Sequence, residues 1–91
     1  MGTATLIVRH QVQDYSAWRA VYDSVENLRQ QYGCLEADVT VDPGDKNDVF
    51  VIHRFPSLES AQGFADSGEL REAMHRAGVS GAPRIEIAVE A

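Results

Sequence analysis

The chain holds a single cysteine, Cys34. No intrachain disulfide and no cysteine-based zinc site can form from one thiol. Cys34 has no identifiable base beside it in the sequence, so a catalytic thiolate is not expected. Positive charge is also scarce: 8 Lys and Arg stand against 14 Asp and Glu, a net charge of −6. The basic residues are scattered and form no run. That argues against nucleic acid and anionic membranes as partners, because phosphate recognition needs clustered Lys and Arg. Long apolar runs are missing too. The stretch Met1 to Val8 has no basic flank and is read as neither signal peptide nor membrane span. A reducing cytoplasm is the expected compartment.

What remains is a chain of 91 residues with 44% hydrophobic content. This length predicts one domain, residues 1–91, around one core. So short a chain buries only about 60–65% of the surface its unfolded form exposes, and such domains often gain stability from a partner subunit.

The hydrophobic pattern gives the elements. Thr3 to Val12 alternates as a strand. Asp14 or Ser16 can cap a helix in which Trp18, Val21, Tyr22, Val25, Leu28 and Tyr32 recur at helical spacing, with Gly33 at its end. Leu35 to Val41 alternates again. Asp42 to Asp48 is a dense turn signal, and Val49 to Phe55 completes a hairpin. Folding the hairpin about Asp45 pairs Thr40 with Phe50, Asp38 with Ile52 and Glu36 with Arg54. Ser57 can cap a second helix carrying Leu58, Ala61, Phe64 and Ala65. Ser67-Gly68 interrupts it, and Leu70, Ala73, Met74 and Ala77 continue to Gly78. A loop over Gly78 to Pro83 then leads to a last strand, Arg84 to Glu90. The order β-α-β-β-α-β, with right-handed crossovers, predicts an α+β, ferredoxin-like fold: a four-stranded antiparallel sheet with helices on one face.

Strand alternation sorts the sheet into two faces. Val8, His10, Ala37, Val39, Val51, His53, Phe55, Ile85, Ile87 and Val89 form an apolar face that both helices should cover. The other face mixes Ile7, Phe50 and Ile52 with Arg9, Glu36, Asp38, Arg54 and Glu86. It is too polar for a core and too apolar for open water. A second copy of the chain, sheet against sheet, would account for the mixture.

The chemistry-capable residues are His10 and His53. They fall on the first and third strands, expected to be central, adjacent and parallel, so that both imidazoles project beneath the helices near the strand ends. Such a pair could hold a polar ligand group, share a proton or bind a metal. It could equally be a pair of core histidines satisfied by backbone or hydroxyl groups. Two histidines without a carboxylate on their face are too few for a metal, and none is expected. His75 lies off the apolar stripe of its helix and should face solvent. Trp18, Tyr22, Val51, Phe55 and Phe64 could line a ligand pocket or simply fill the core. The acids of the Asp42–Asp48 loop lack the alternation and closing glutamate of a calcium loop and read as a turn.

The topology hosts RNA-binding and copper-carrying domains as well as enzymes. The polar face offers only Phe50 for base stacking, and no Cys-x-x-Cys exists for copper. The run Val49-Phe50-Val51-Ile52-His53-Arg54-Phe55-Pro56-Ser57-Leu58-Glu59-Ser60-Ala61-Gln62-Gly63-Phe64 resembles the dimeric α+β-barrel superfamily, and so do Ser67-Gly68-Glu69-Leu70-Arg71-Glu72-Ala73-Met74 and Asp14-Tyr15-Ser16-Ala17-Trp18. The closest likeness is to small bacterial proteins grouped with antibiotic biosynthesis monooxygenases. This resemblance implies a homodimer with a ligand cavity between sheet and helices. It also implies a function among cofactor-free oxygenases, haem-degrading enzymes, isomerases or proteins without known activity. Oxygenases of the group carry Trp at the end of the third strand and Asn nearby; here Phe55 and Val51 stand at those places. Two functions are therefore expected to compete. One is a cofactor-independent enzyme acting on a small phenolic or enolisable substrate, with His10 and His53 as catalytic residues. The other is a dimeric ligand-binding or interaction module without chemistry.

Overall fold

The computed structural model describes residues 2–91. Its elements run β1 (Ala4–Val12), α1 (Tyr15–Ser24), α2 (Glu26–Gln31), β2 (Glu36–Asp42), β3 (Asp45–Phe55), α3 (Leu58–Ala65), α4 (Gly68–Arg76) and β4 (Val79–Val89). The four strands form one sheet in the order β2-β3-β1-β4, with every neighbouring pair antiparallel. This is the expected ferredoxin-like α+β architecture. Among the described residues no helix is long and apolar enough to cross a membrane.

Local chemistry sets the element ends. Asp14 accepts the Ala17 amide at 2.9 Å, Ser57 accepts that of Ser60 at 3.1 Å, and Ser67 accepts those of Glu69 and Leu70. Each cap satisfies donors that the first helical turn leaves free. Gly33 and Gly78 both take φ of +78°, a conformation that a β-carbon resists. The hairpin register is the one read from the sequence, including Glu36 opposite Arg54 with 3.6 Å between their charged groups.

Four expectations need correction. The single first helix is two, broken at Val25. The Ser24 hydroxyl donates to the Val21 carbonyl at 2.7 Å, a local bond that competes with helix continuation. The Tyr22 carbonyl near the break is taken by the Arg29 guanidinium at 2.9 Å. The hairpin turn is shorter than Asp42–Asp48: β3 begins at Asp45, after a loop of Pro43 and Gly44. Its acids serve the turn itself, since Asp42 accepts the Gly44 amide and Asp45 accepts the Asn47 amide. The stretch Gly78 to Pro83 is not a loop: from Val79 on it is the first half of β4, which pairs with Gln11 and Val12 through a register shift. Finally, β1 and β3 are antiparallel rather than parallel. The hairpin reverses β3 against β2, and the α1–α2 crossover sets β2 parallel to β1.

The core lies between the helices and the two central strands. Ala4, Leu6, Val8 and Val12 from β1 meet Val49, Val51 and Phe55 from β3, roofed by Trp18, Leu28, Ala61, Phe64, Ala73 and Ala77. The edge strands are covered less than expected. Ile85 and Val89 share the inner face but are 39% and 57% exposed, and Ala37 is exposed.

Candidate functional site

His10 and His53 both project into the core layer, with 6% and 3% of their surface exposed. Strand alternation places them there, as the sequence indicated. Antiparallel pairing then puts them at opposite ends of the central strand pair: His10 is opposite Val49, while His53 is opposite Leu6. That is four residues of strand, about 13 Å along the sheet. One proton or one metal ion therefore cannot be shared between the two rings.

A cavity of about 50 Å³ occupies the space between them. Val8 and Val51 form its floor, with His10 and His53 at the two ends. Trp18, Val21, Tyr22 and Val25 form one wall, and Phe64, Leu70, Ala73, Met74 and Ala77 close the rest. The α1 wall is a ladder of rings. Trp18 lies 4.9 Å from Tyr22 in a stacked arrangement, and Tyr22 lies 5.9 Å from His53. At the other end His10 meets Trp18 edge-on at 5.6 Å. Helical spacing from Trp18 to Tyr22 aligns these rings on one face of α1.

The two histidines differ in their surroundings. Both ring nitrogens of His10 are buried without a hydrogen-bond partner among the described residues. Burial pushes this ring down to about 4, opposed by the carboxylate of Asp48. His53 Nε2 lies 2.8 Å from the Tyr22 hydroxyl, while its Nδ1 has no partner. Burial, aided by the positive Arg29, also pushes His53 down to about 4. Both rings are thus neutral at pH 7, the form a base requires. Burial raises the Tyr22 phenol, so it keeps its proton.

Of the residues expected to line a pocket, Trp18, Tyr22, Val51 and Phe64 do so. Phe55 does not. It is fully buried behind the site, 5.3 Å from Phe64 and 6.2 Å from His53. One strand position beyond His53 on the same face, Phe55 is already past the end of the cavity. His75 is exposed, as its helical position indicated. Among the described residues no group of three or more His, Cys, Asp or Glu could hold a metal ion.

Arg29 is a component that the sequence did not flag. Only 8% of its surface is exposed, and its Cζ sits 4.0 Å over the centre of the Tyr22 ring. A charged residue is ordinarily read as solvated, which hid the signal that was there: Arg29 follows Tyr22 by seven residues and Val25 by four, on the same helical stripe.

Comparison with solved structures finds the same architecture over nearly the whole chain. A Bordetella bronchiseptica protein described as an antibiotic biosynthesis monooxygenase superposes with a TM-score of 0.82 at 12% identity, covering 100% of this chain and 99% of its own. SnoaB, a cofactor-independent oxygenase from Streptomyces nogalater solved as a point mutant, gives 0.75 at 10% identity, covering 94% and 90%. Rv0793 from Mycobacterium tuberculosis gives 0.74 at 16%, covering 98% and 95%. At such identities these likenesses establish the fold. No curated protein matches the chain in sequence. The sequence profile of the antibiotic biosynthesis monooxygenases matches residues 13–76, which is most of the chain and includes the α1 ring ladder, His53 and α4. The chain belongs to the antibiotic biosynthesis monooxygenase family.

Proposed function

We propose that this protein is a cofactor-independent enzyme that takes a proton from a small, partly apolar phenolic or enolisable substrate. The observation that carries the reading is His10: a neutral imidazole, buried beside a cavity, with neither nitrogen bound by the protein. Buried polar groups are nearly always satisfied, so such a ring awaits a partner from the ligand. His10 then acts as the base, and the end near His53 receives the oxyanion that forms. The distance between the ends selects the substrate. The acidic C–H and the oxygen that takes up its electrons sit at far ends of one conjugated framework. With dioxygen as oxidant, the carbanion passes its electrons to oxygen and a carbon–oxygen bond forms. Loss of water then turns the original methylene into a carbonyl. Without dioxygen, reprotonation at another carbon completes an isomerisation. The family membership and the SnoaB likeness support this class of chemistry.

A thermal-shift screen of phenolic and quinonoid compounds should find ligands, and turnover of the hits can be followed by oxygen uptake or absorbance. Replacing His10 with Ala should lower kcat by about 10²–10⁴-fold, the usual contribution of a positioned base. Full activity in both His10→Ala and His53→Ala would sink the proposal.

One observation favours the competing module without chemistry. The cavity is about 50 Å³, well below the roughly 300 Å³ of an ordinary ligand pocket. The enzyme reading therefore requires α4 or the α1–α2 break to move outward when substrate enters. Ligands that bind without turnover would decide for the module.

We place the protein in the cytoplasm, where its free thiol Cys34 stays reduced, and read it as a homodimer joined through the open sheet face. Ile52 at 39% exposure stands beside half-buried Ile7 and Phe50, and the Arg9 guanidinium covers the Phe50 ring at 4.8 Å. Arg9 also grips Asp48 through two bonds of 2.8 and 3.2 Å. This is an apolar centre rimmed by pre-paired charges, the composition of a wet interface. Sedimentation should report twice the 10.0 kDa chain mass. Ile52→Asp should yield a folded monomer, since a charge there has no place between two sheets. A wild-type monomer at micromolar concentration would remove this part of the proposal.

A further inference from the structure

We propose that Tyr22 is the residue that meets the substrate's developing oxyanion, held for that task by His53 and Arg29. The site then works with one free imidazole and one backed phenol rather than two equivalent histidines. This rests on the reading of the cavity as an enzyme site.

A neutral imidazole carries one N–H. If the proton of His53 sat on Nδ1, it would be a buried donor with no acceptor. If it sits on Nε2, the unsatisfied atom is a lone pair. Orphaned buried donors are the rarer of the two in folded proteins. The Nε2–H therefore donates to the Tyr22 oxygen across the 2.8 Å contact. Tyr22's own proton is then not spent on His53 and is free to turn into the cavity that its ring lines. A hydroxyl that accepts one bond becomes a stronger donor in the next, because the chain of bonds polarises it.

The charges point the same way. Arg29 lies over the Tyr22 ring face at 4.0 Å, and its Nη1 donates to the Tyr22 backbone carbonyl. No carboxylate pairs with it among the described residues. Arg19 reaches the same ring from solvent, with Cζ 5.5 Å from its centre. The cluster therefore consists of a protonated phenol, a neutral imidazole and a buried cation. It carries positive charge before the reaction and suits an oxygen that becomes negative during it. His10, at the far end, has no such hydroxyl or cation and keeps both nitrogens free.

The test uses 4-nitrophenol, whose phenol and phenolate forms differ in absorbance, with the full-length protein. Wild type should bind the phenolate in preference, lowering the bound phenol's apparent pKa by about one unit. In Tyr22→Phe the phenolate should bind about 10- to 100-fold more weakly, the range for one hydrogen bond to a charged oxygen, while the neutral phenol changes by about twofold at most. Phe keeps the ring between Trp18 and Arg29, and circular dichroism verifies the fold. His53→Gln, whose amide can still donate to the Tyr22 oxygen, should retain the phenolate preference; His53→Leu should lose most of it. Nitrogen NMR of the ligand-free wild type, which needs no variant, should show His53 as the Nε2–H tautomer. An Nδ1–H tautomer, or phenolate binding indifferent to Tyr22→Phe, overturns the inference. If His10→Ala still abolishes turnover in that case, the enzyme reading survives alone. No binding of nitrophenol by wild type overturns both.

Discussion

Acidification from pH 7 to pH 4 should cost the fold about 3 kcal/mol through His53 alone, since its ring moves from an ordinary 6.5 down to about 4 on burial. His10 shifts to the same value, the Asp48 charge offsetting part of the cost of burial, and a like loss is expected from it. The sign follows from proton uptake. Between pH 6.5 and 4 the unfolded chain holds protons on these rings that the folded chain does not. Stability therefore falls as pH drops through that window, and the histidines add nothing further below it. Above pH 6.5 both rings are neutral in either state and contribute no slope. A domain of this size has on the order of 5–15 kcal/mol in total, so the loss is a large share. The two rings together cost about 6 kcal/mol, so the melting temperature should fall by about 25–50 °C between pH 7 and pH 4. The cause can be isolated with the double variant His10→Leu and His53→Leu. That variant should be flat across the window while keeping any carboxylate-driven loss below pH 4, where the Arg9 pairing that holds Asp48 low gives way. Equal acid sensitivity in the double variant would show that the two rings are not the origin. His10→Leu alone should also raise stability at pH 7 by about 1 kcal/mol, since it removes unsatisfied polar atoms from the core. A stabilising change that abolishes turnover is the expected mark of a functional residue.

Phe55→Ala should destabilise the protein by about 3–5 kcal/mol. Phe55 is fully buried at the end of β3, against Phe64 of α3 and the edge of His53. Truncation removes the apolar transfer free energy of a benzyl group and leaves a hole that the sheet backbone cannot close. Urea denaturation should report the loss as a lower midpoint with an unchanged slope. The variant also tests the placement of the site. Phe55 stands behind the cavity, so ligand affinity at a temperature where the variant is folded should change far less than stability. An effect on stability below about 1 kcal/mol would mean that α3 does not rest on this residue.

Much of this molecule follows from period and cap chemistry. Alternation along β1 and β3 is enough to put His10 and His53 on the inner face, and opposite charges at Glu36 and Arg54 agree with the hairpin register. Asp14 and Ser57 announce their helices because each satisfies amides within a few residues of itself, whereas Ser67, read only as an interruption, is the cap of α4. The break at Val25 was not legible. The apolar spacing runs through it unbroken, and it depends on a Ser24 hydroxyl bond and on a guanidinium folding back. The extent of β4 was likewise hidden. Ser80, Gly81 and Pro83 are turn residues by propensity; Ser80 becomes strand by pairing with Gln11, while Gly81 and Pro83 lie in the register shift between the two paired stretches.

Taken alone, the sequence determined which face of each central strand its side chains share, because the strand period is local; how well a face is covered, as at exposed Ile85 and Val89 or at buried Arg29, it did not. Tertiary structure decided how far apart those residues stand and what they touch. The direction of β3 against β1 is implied by an antiparallel sheet, but the pairing register that sets the imidazoles at opposite ends of a cavity appears only in the folded sheet. The bond between Tyr22 and His53 joins positions 31 residues apart, beyond the reach of any local pattern.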